Sequence, residues 1–114
     1  MPDFKIDNKK PTTLNSFVLY TTSACHLCDE ALNILNDLHT QMLELAKEQD
    51  FTVPNQTIYT IELVDVAEDS SLFEIYGPRI PVLNFASTSE ELAWPFDIQS
   101  VYQFILPKLV FPVN

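Results

Sequence analysis

The sequence predicts an α/β domain in the order β-α-β-α-β-β-α, built on a four-stranded mixed sheet with helices on both faces. Three observations carry this expectation. A short, nearly continuous apolar run, SFVLYT, leads into a long stretch where apolar side chains recur at steps of three and four. A second run rich in β-branched and aromatic residues, TIYTIELVDV, follows that stretch. Two further strand-like runs, PVLNFA and EELAWPF, are joined by the polar turn STSE.

Taken in order, residues 1–15 are polar, contain Pro2 and Pro11 and have no period, so they read as an extended or poorly ordered arm before a domain of residues 16–114. SFVLYT has the pattern of a strand covered on both faces. Cys28, Ala31, Leu35, Leu38, Met42 and Leu45 then form a helical stripe, widened by Leu27 and Ile34. Asp29, Glu30, Asn33, Asp37 and Glu44 fill the opposite side, and QDFTVPNQT breaks the pattern, which sets the helix at about residues 25 to 48. His39 is expected on the solvent side. A right-handed crossover through this helix makes the first two strands parallel.

Asp69 is placed to cap a short helix carrying Leu72, Phe73, Ile75 and Tyr76, which Gly77 and Pro78 stop. The two strands around STSE form an antiparallel hairpin. Asp97 reads as the N-cap of the last helix, whose stripe is Ile98, Val101, Tyr102, Ile105, Leu106 and Leu109. Phe96 precedes the cap as a staple for Val101, and Pro107 ends or kinks the helix. Tyr20, Phe85 and Phe104 are expected in the core, while Trp94 either packs inside or borders the thiol surface.

Composition narrows the function. The chain has the length of one domain, and its 46% hydrophobic content suffices for one core. Six Lys and Arg stand against sixteen Asp and Glu, a net charge of −10 that repels phosphate backbones and anionic lipid, so neither nucleic acid nor membrane is an expected partner. The N-terminus lacks the apolar core of about 7 to 15 residues that a signal peptide needs, and no apolar run reaches the roughly 18 residues of a spanning helix. A soluble cytoplasmic protein is expected.

The only two cysteines lie in TTSACHLCDEAL, three residues apart at the start of the long helix. Positions i and i+3 of a helix share a face with Cβ atoms ~5–6 Å apart, against the ~3.5–4.5 Å a disulfide wants, so a bridge can form under modest strain. So small a loop stabilises by only roughly 2 kcal/mol, which makes stapling a poor reason for the pair and reversible exchange a better one. Cys25, at the helix start, meets unpaired N–H groups and the positive dipole end; Cys28 begins the apolar stripe. Cys25 is therefore the expected nucleophile and Cys28 the resolving thiol. A closed zinc site would need four ligands, and only His26 and His39 could supplement the cysteines. An iron–sulfur cluster shared across a dimer through Cys25, and a noncatalytic binding or assembly module whose cysteines are merely oxidisable, stand as alternatives.

The segment FVLYTTSACHLCDEAL resembles the active-site segment of the thioredoxin superfamily, nearest to a branch of small glutaredoxin-like proteins. VDVAEDSSLFEIYGPRIPVL resembles that branch's second strand, short helix and proline loop, and ELAWPFD its closing strand and helix start, so the likeness covers roughly residues 16 to 106. It implies a thioredoxin-like fold, with Cys25 attacking, Cys28 resolving and Pro81 as a cis-proline facing them. Ile80, just before that proline, would then pair with an extended substrate segment. His26 either stabilises the Cys25 thiolate or is an exposed first-turn residue, and Arg79 either brings a cation near the thiols or pairs with surface acid; both join Ile80 and Pro81 as candidate substrate contacts.

Ordinary glutaredoxins hold glutathione with a basic residue near the cysteines and a glycine pair before the last helix. Here Gly77 is the only glycine, and WPFD stands where the pair would lie. A capping Asp97 would occupy the N–H groups that could hold a glutathione carboxylate, so glutathione is a doubtful ligand and no cofactor is required. The expectation is a monomeric thiol–disulfide oxidoreductase acting on a disulfide-containing protein or small thiol.

Overall fold

The computed structural model describes residues 15 to 110; apart from Asn15, the expected N-terminal arm lies outside the described residues. Strand β1 (Ser16–Thr21) runs into helix α1 (His26–Glu48), and strand β2 (Thr60–Asp65) follows. Helix α2 (Ser70–Tyr76), strands β3 (Val82–Phe85) and β4 (Glu91–Ala93) and helix α3 (Ile98–Ile105) complete the order β-α-β-α-β-β-α. The sheet order is β2-β1-β3-β4, parallel between β1 and β2 and antiparallel elsewhere. This is the expected mixed α/β architecture.

Alternation along the strands divides the sheet into two faces. Registers align Phe17 with Ile61 and Phe85, and Leu19 with Leu63 and Leu83. Leu92 lies opposite Leu83, so these seven side chains share one face. That face packs against Ala31, Leu35 and Leu38 of α1 and Val101 and Ile105 of α3, which are all buried in one cluster. The other face carries Val18, Tyr20, Val64 and Val82, and α2 leans on it through Tyr76, whose ring stacks on Tyr20 at 4.0 Å. Tyr20 is thus half-buried beneath α2 instead of lying in the main core, and burial first, then Tyr76, raises its pKa.

Local chemistry explains the element ends. Asp69 caps α2 by accepting from Ser71 and Leu72 N–H groups. Asp97 caps α3 reciprocally with Ser100: its carboxylate accepts the Ser100 N–H at 2.9 Å, while its own N–H donates to the Ser100 hydroxyl at 2.9 Å. Phe96 and Val101, the expected staple pair, are both buried in the core cluster. Helix α3 stops at Ile105 and a 3-10 turn containing Pro107 follows.

His39 departs from expectation: it is fully buried. The segment after α1 folds back over the helix, and the Ile58 N–H donates to His39 Nε2 at 3.0 Å. An accepting Nε2 identifies a neutral ring with its proton on Nδ1. Tyr59 packs edge-on against that ring at 5.0 Å and donates its hydroxyl to the Leu35 carbonyl at 2.6 Å. Ile58 and Tyr59 are buried just before β2, so the expected longer strand is partly a packed lead-in. At the domain's edge, buried Asn15 takes a left-handed backbone (φ 66°). Its side chain donates to the Ile58 and Val110 carbonyls and accepts the Val110 N–H, tying the starts of β1 and β2 to Val110.

Candidate functional site

The chain leaves β1 at Thr21 and reverses through Ser23 and Ala24. Ala24 sits at φ 58°, a left-handed position that costs a β-carbon residue about 1 kcal/mol. The reversal delivers Cys25 to the N-cap of α1 with an extended backbone (φ −99°, ψ 105°). Its Sγ accepts the Cys28 N–H at 3.1 Å, the hydrogen bond that Ser or Asp makes at an ordinary cap. Cys25 and Cys28 are joined as a disulfide with Cα atoms 5.2 Å apart. Cys25 is half-buried, whereas Cys28 is only 4% exposed. The sequence-predicted division between an outward sulfur at the helix mouth and a shielded one behind it is therefore present in the geometry.

The sheet brings the proline loop to the same end. Tyr20 pairs with Val82, so buried Pro81 follows at the end of β1 that opens into the cysteine turn. The Ile80–Pro81 bond is cis, as the resemblance implies, and so is Trp94–Pro95, which the sequence reading did not anticipate. Ile80 is extended (φ −63°, ψ 148°) and half-buried. Its N–H closes the 3-10 turn Gly77–Arg79, and its C=O has no backbone partner among the described residues. Trp94 closes the other side, donating its N–H to the Pro81 carbonyl at 3.1 Å and packing edge-on against Phe96 at 4.9 Å.

The two basic candidates have partners of their own. His26 Nε2 lies 2.9 Å from Glu30 one turn along α1, on an exposed surface. The Arg79 guanidinium lies 2.6 Å from Glu91 on β4 and 5.3 Å from the centre of the Tyr76 ring, and the Glu91 contact pushes the Arg79 pKa still higher. Arg79 thus realises the surface-acid alternative, bracing the loop before Ile80. Acids border the site: Asp29 and Glu30 lie on α1, and Asp65, paired with Thr21 across the parallel ladder, is followed by Glu68 and Asp69. Among the described residues, no group of three or more His, Cys, Asp or Glu is placed to hold a metal ion. Nor is any described helix long and apolar enough to cross a membrane.

Chemically, the arrangement offers a cysteine pair within bonding reach, one sulfur at the helix mouth and hydrogen-bonded to a helix amide, beside the extended residue that precedes a cis-proline. This supports a redox-type role. The residues missed by sequence reasoning are Tyr20, Tyr76 and Glu91, which hold the loop from behind. Their signal lay in a register that only the folded sheet supplies.

Comparison with known proteins agrees with this geometry. The glutaredoxin-like domain (DUF836) matches residues 16–106. Among solved structures, the crystal structure of the structural-genomics target XcR50 from X. campestris is 26% identical, covering 80% of this chain and 96% of that one, with a TM-score of 0.59. The solution structure of XcR50 is 27% identical over 80% of this chain and 92% of that one, with a TM-score of 0.51. Protein Ne2328 from Nitrosomonas europaea, at 20% identity, matches in fold, covering 85% and 98% of the two chains with a TM-score of 0.50. A comparison with curated proteins finds no match.

Proposed function

This chain belongs to the glutaredoxin-like domain (DUF836) family, and from that premise we propose that it is a thiol–disulfide oxidoreductase using Cys25 as nucleophile and Cys28 as resolving thiol. The observation that carries the reading is the Cys25 sulfur capping α1, 3.1 Å from the Cys28 amide and within bridging distance of Cys28 itself. On reduction that amide and the helix dipole favour the Cys25 thiolate. The thiolate attacks one sulfur of a substrate disulfide, forming a mixed disulfide and releasing the other sulfur as a thiolate that takes up a proton. Cys28, once deprotonated, attacks Cys25 Sγ, forming the Cys25–Cys28 bond and releasing the second substrate thiol. The substrate gains two electrons and the protein dithiol loses two; the bridged pair described above is the oxidised end of the cycle.

Substrate contact falls to Ile80 and Pro81, whose extended backbone beside the cysteine turn suits an extended peptide carrying a cystine. His26 and Arg79 are paired with Glu30 and Glu91 and do not act as anion holders. A disulfide-containing protein fits such a site better than glutathione. The amides at the start of α3 are taken by Asp97 and Ser100, and the acids around the cysteines repel a tripeptide bearing two carboxylates. The protein works in this reading as a soluble cytoplasmic monomer without a bound cofactor.

The test is trapping. Cys28→Ser protein incubated with cell extract should accumulate reductant-sensitive covalent adducts, identifiable by mass spectrometry, and Cys25→Ser should accumulate none. Equal yields from both variants, or none from either, overturn the proposal.

A further inference from the structure

Far from the cysteines, the second half of α1 and the start of α3 leave an apolar trough. It consists of two adjoining hollows of about 330 and 390 Å³ that share Met42, Leu45 and Tyr102. Ile58, Leu106 and Leu109 line the larger one. Leu45 is 51% exposed and Leu106 44% exposed, an open apolar surface of the kind that marks an interaction site. We propose that this trough is the docking site of the chain's own N-terminal segment, residues 1–14, with Phe4 and Ile6 as its apolar anchors.

Three observations select that occupant. The first is the point of departure. Asn15 is fastened to the Ile58 carbonyl and to Val110, and Ile58 and Leu109 are wall residues, so the segment leaves the domain at the trough's rim. The second is reach and pattern. From Leu38 to Gln49 the trough follows α1 for about 17 Å at the helical rise. Nine steps of chain run from Ile6 to Asn15, enough for up to about 30 Å when extended. Phe4 and Ile6, two apart, fall on one side of such a chain.

The third is charge. Residues 1–14 hold Lys5, Lys9 and Lys10 against Asp3 and Asp7, whereas the remainder has three cations against fourteen acids. The last turns of α1 and the residue pair after it carry exposed Glu44, Glu48 and Asp50 against Lys47. Attraction between a basic segment and this acidic stretch of the domain steers the apolar anchors towards the hollow.

Met1 and Met42 are the only methionines, so a chain labelled at its methionine methyl groups reports the trough through a single internal probe. In the Phe4→Ser/Ile6→Ser variant the Met42 methyl resonance should shift, and binding of an apolar fluorescent dye should rise severalfold over the wild type. Lys9→Glu/Lys10→Glu, which leaves the apolar anchors in place, should move the Met42 resonance in the same direction by less, and added salt should do likewise to the wild type. An unmoved Met42 resonance in both variants overturns the proposal. So does a wild-type Met42 shift that follows protein concentration together with a dimeric mass, which would give the trough to a second copy.

Discussion

Removing the resolving sulfur isolates the thiol on which the account depends. In the Cys28→Ser chain the residue 28 amide remains, so Cys25 keeps the 3.1 Å hydrogen bond at the mouth of α1. A hydrogen bond to a charged partner contributes about 1.5–3 kcal/mol. The helix terminus adds about 0.3–1 kcal/mol in favour of the thiolate. Asp29 and Glu30, both exposed, oppose it; at solvent-like screening their combined cost is about 1 kcal/mol. The net preference of about 2 kcal/mol corresponds to a roughly 30-fold gain in the ionisation constant. An unperturbed thiol is only about 3% ionised at pH 7, so the gain makes about half of Cys25 reactive. Half against about 3% is about a 16-fold gain in thiolate, and the lower nucleophilicity of a less basic thiolate cuts this to about fourfold, so alkylation by iodoacetamide at pH 7 should run about fourfold faster than for a free cysteine, with the thiolate absorbance titrating below the ordinary thiol range. A rate at or below that of free cysteine would refute the reasoning.

Two further outcomes follow from the same contacts. The Ser100 hydrogen bonds hold the Asp97 carboxyl below its usual 3.8, so its contribution to stability is complete above that value and lost as pH falls through the lower folded-state value. In acid unfolding monitored by circular dichroism, Asp97→Asn should be less stable than the wild type at pH 6, the gap closing towards pH 2; a constant gap contradicts the cap. At the domain's edge, Asn15→Gly removes three side-chain hydrogen bonds, one buried and two part-buried, but keeps the φ of 66°, and should cost about 2–3 kcal/mol in urea unfolding. Asn15→Ala should cost about 1 kcal/mol more, because alanine also resists the left-handed backbone.

The fold was legible where a pattern repeats. The three-and-four stripe from Cys28 to Leu45 places α1, and Asp69 and Asp97 mark the helix starts at which they act as caps. The cysteine site was legible because its chemistry is local: one helical turn sets the spacing, and the first turn sets which sulfur meets the amides. What escaped depends on residues distant in sequence. His39 looked polar and outward because its partner, the Ile58 amide, arrives only when the chain returns over α1. Trp94, ambiguous between core and site, bonds Pro81 through its backbone, which no side-chain pattern reveals. Arg79, in the turn after α2, meets Glu91 of β4 only once the chain is folded, twelve positions away in sequence. The tight turn before Cys25 carried no glycine to announce it; Ala24 takes the left-handed position instead.

The central claim is that the two sulfurs are unequal. Fully reduced wild-type protein, treated at pH 7 with less than one equivalent of an alkylating reagent and digested, reports this directly by mass spectrometry of the peptide spanning both cysteines. Nearly all of the label should lie on Cys25, which is half-buried at the helix mouth, and almost none on Cys28, which is 4% exposed. Label divided evenly, or concentrated on Cys28, would contradict the account.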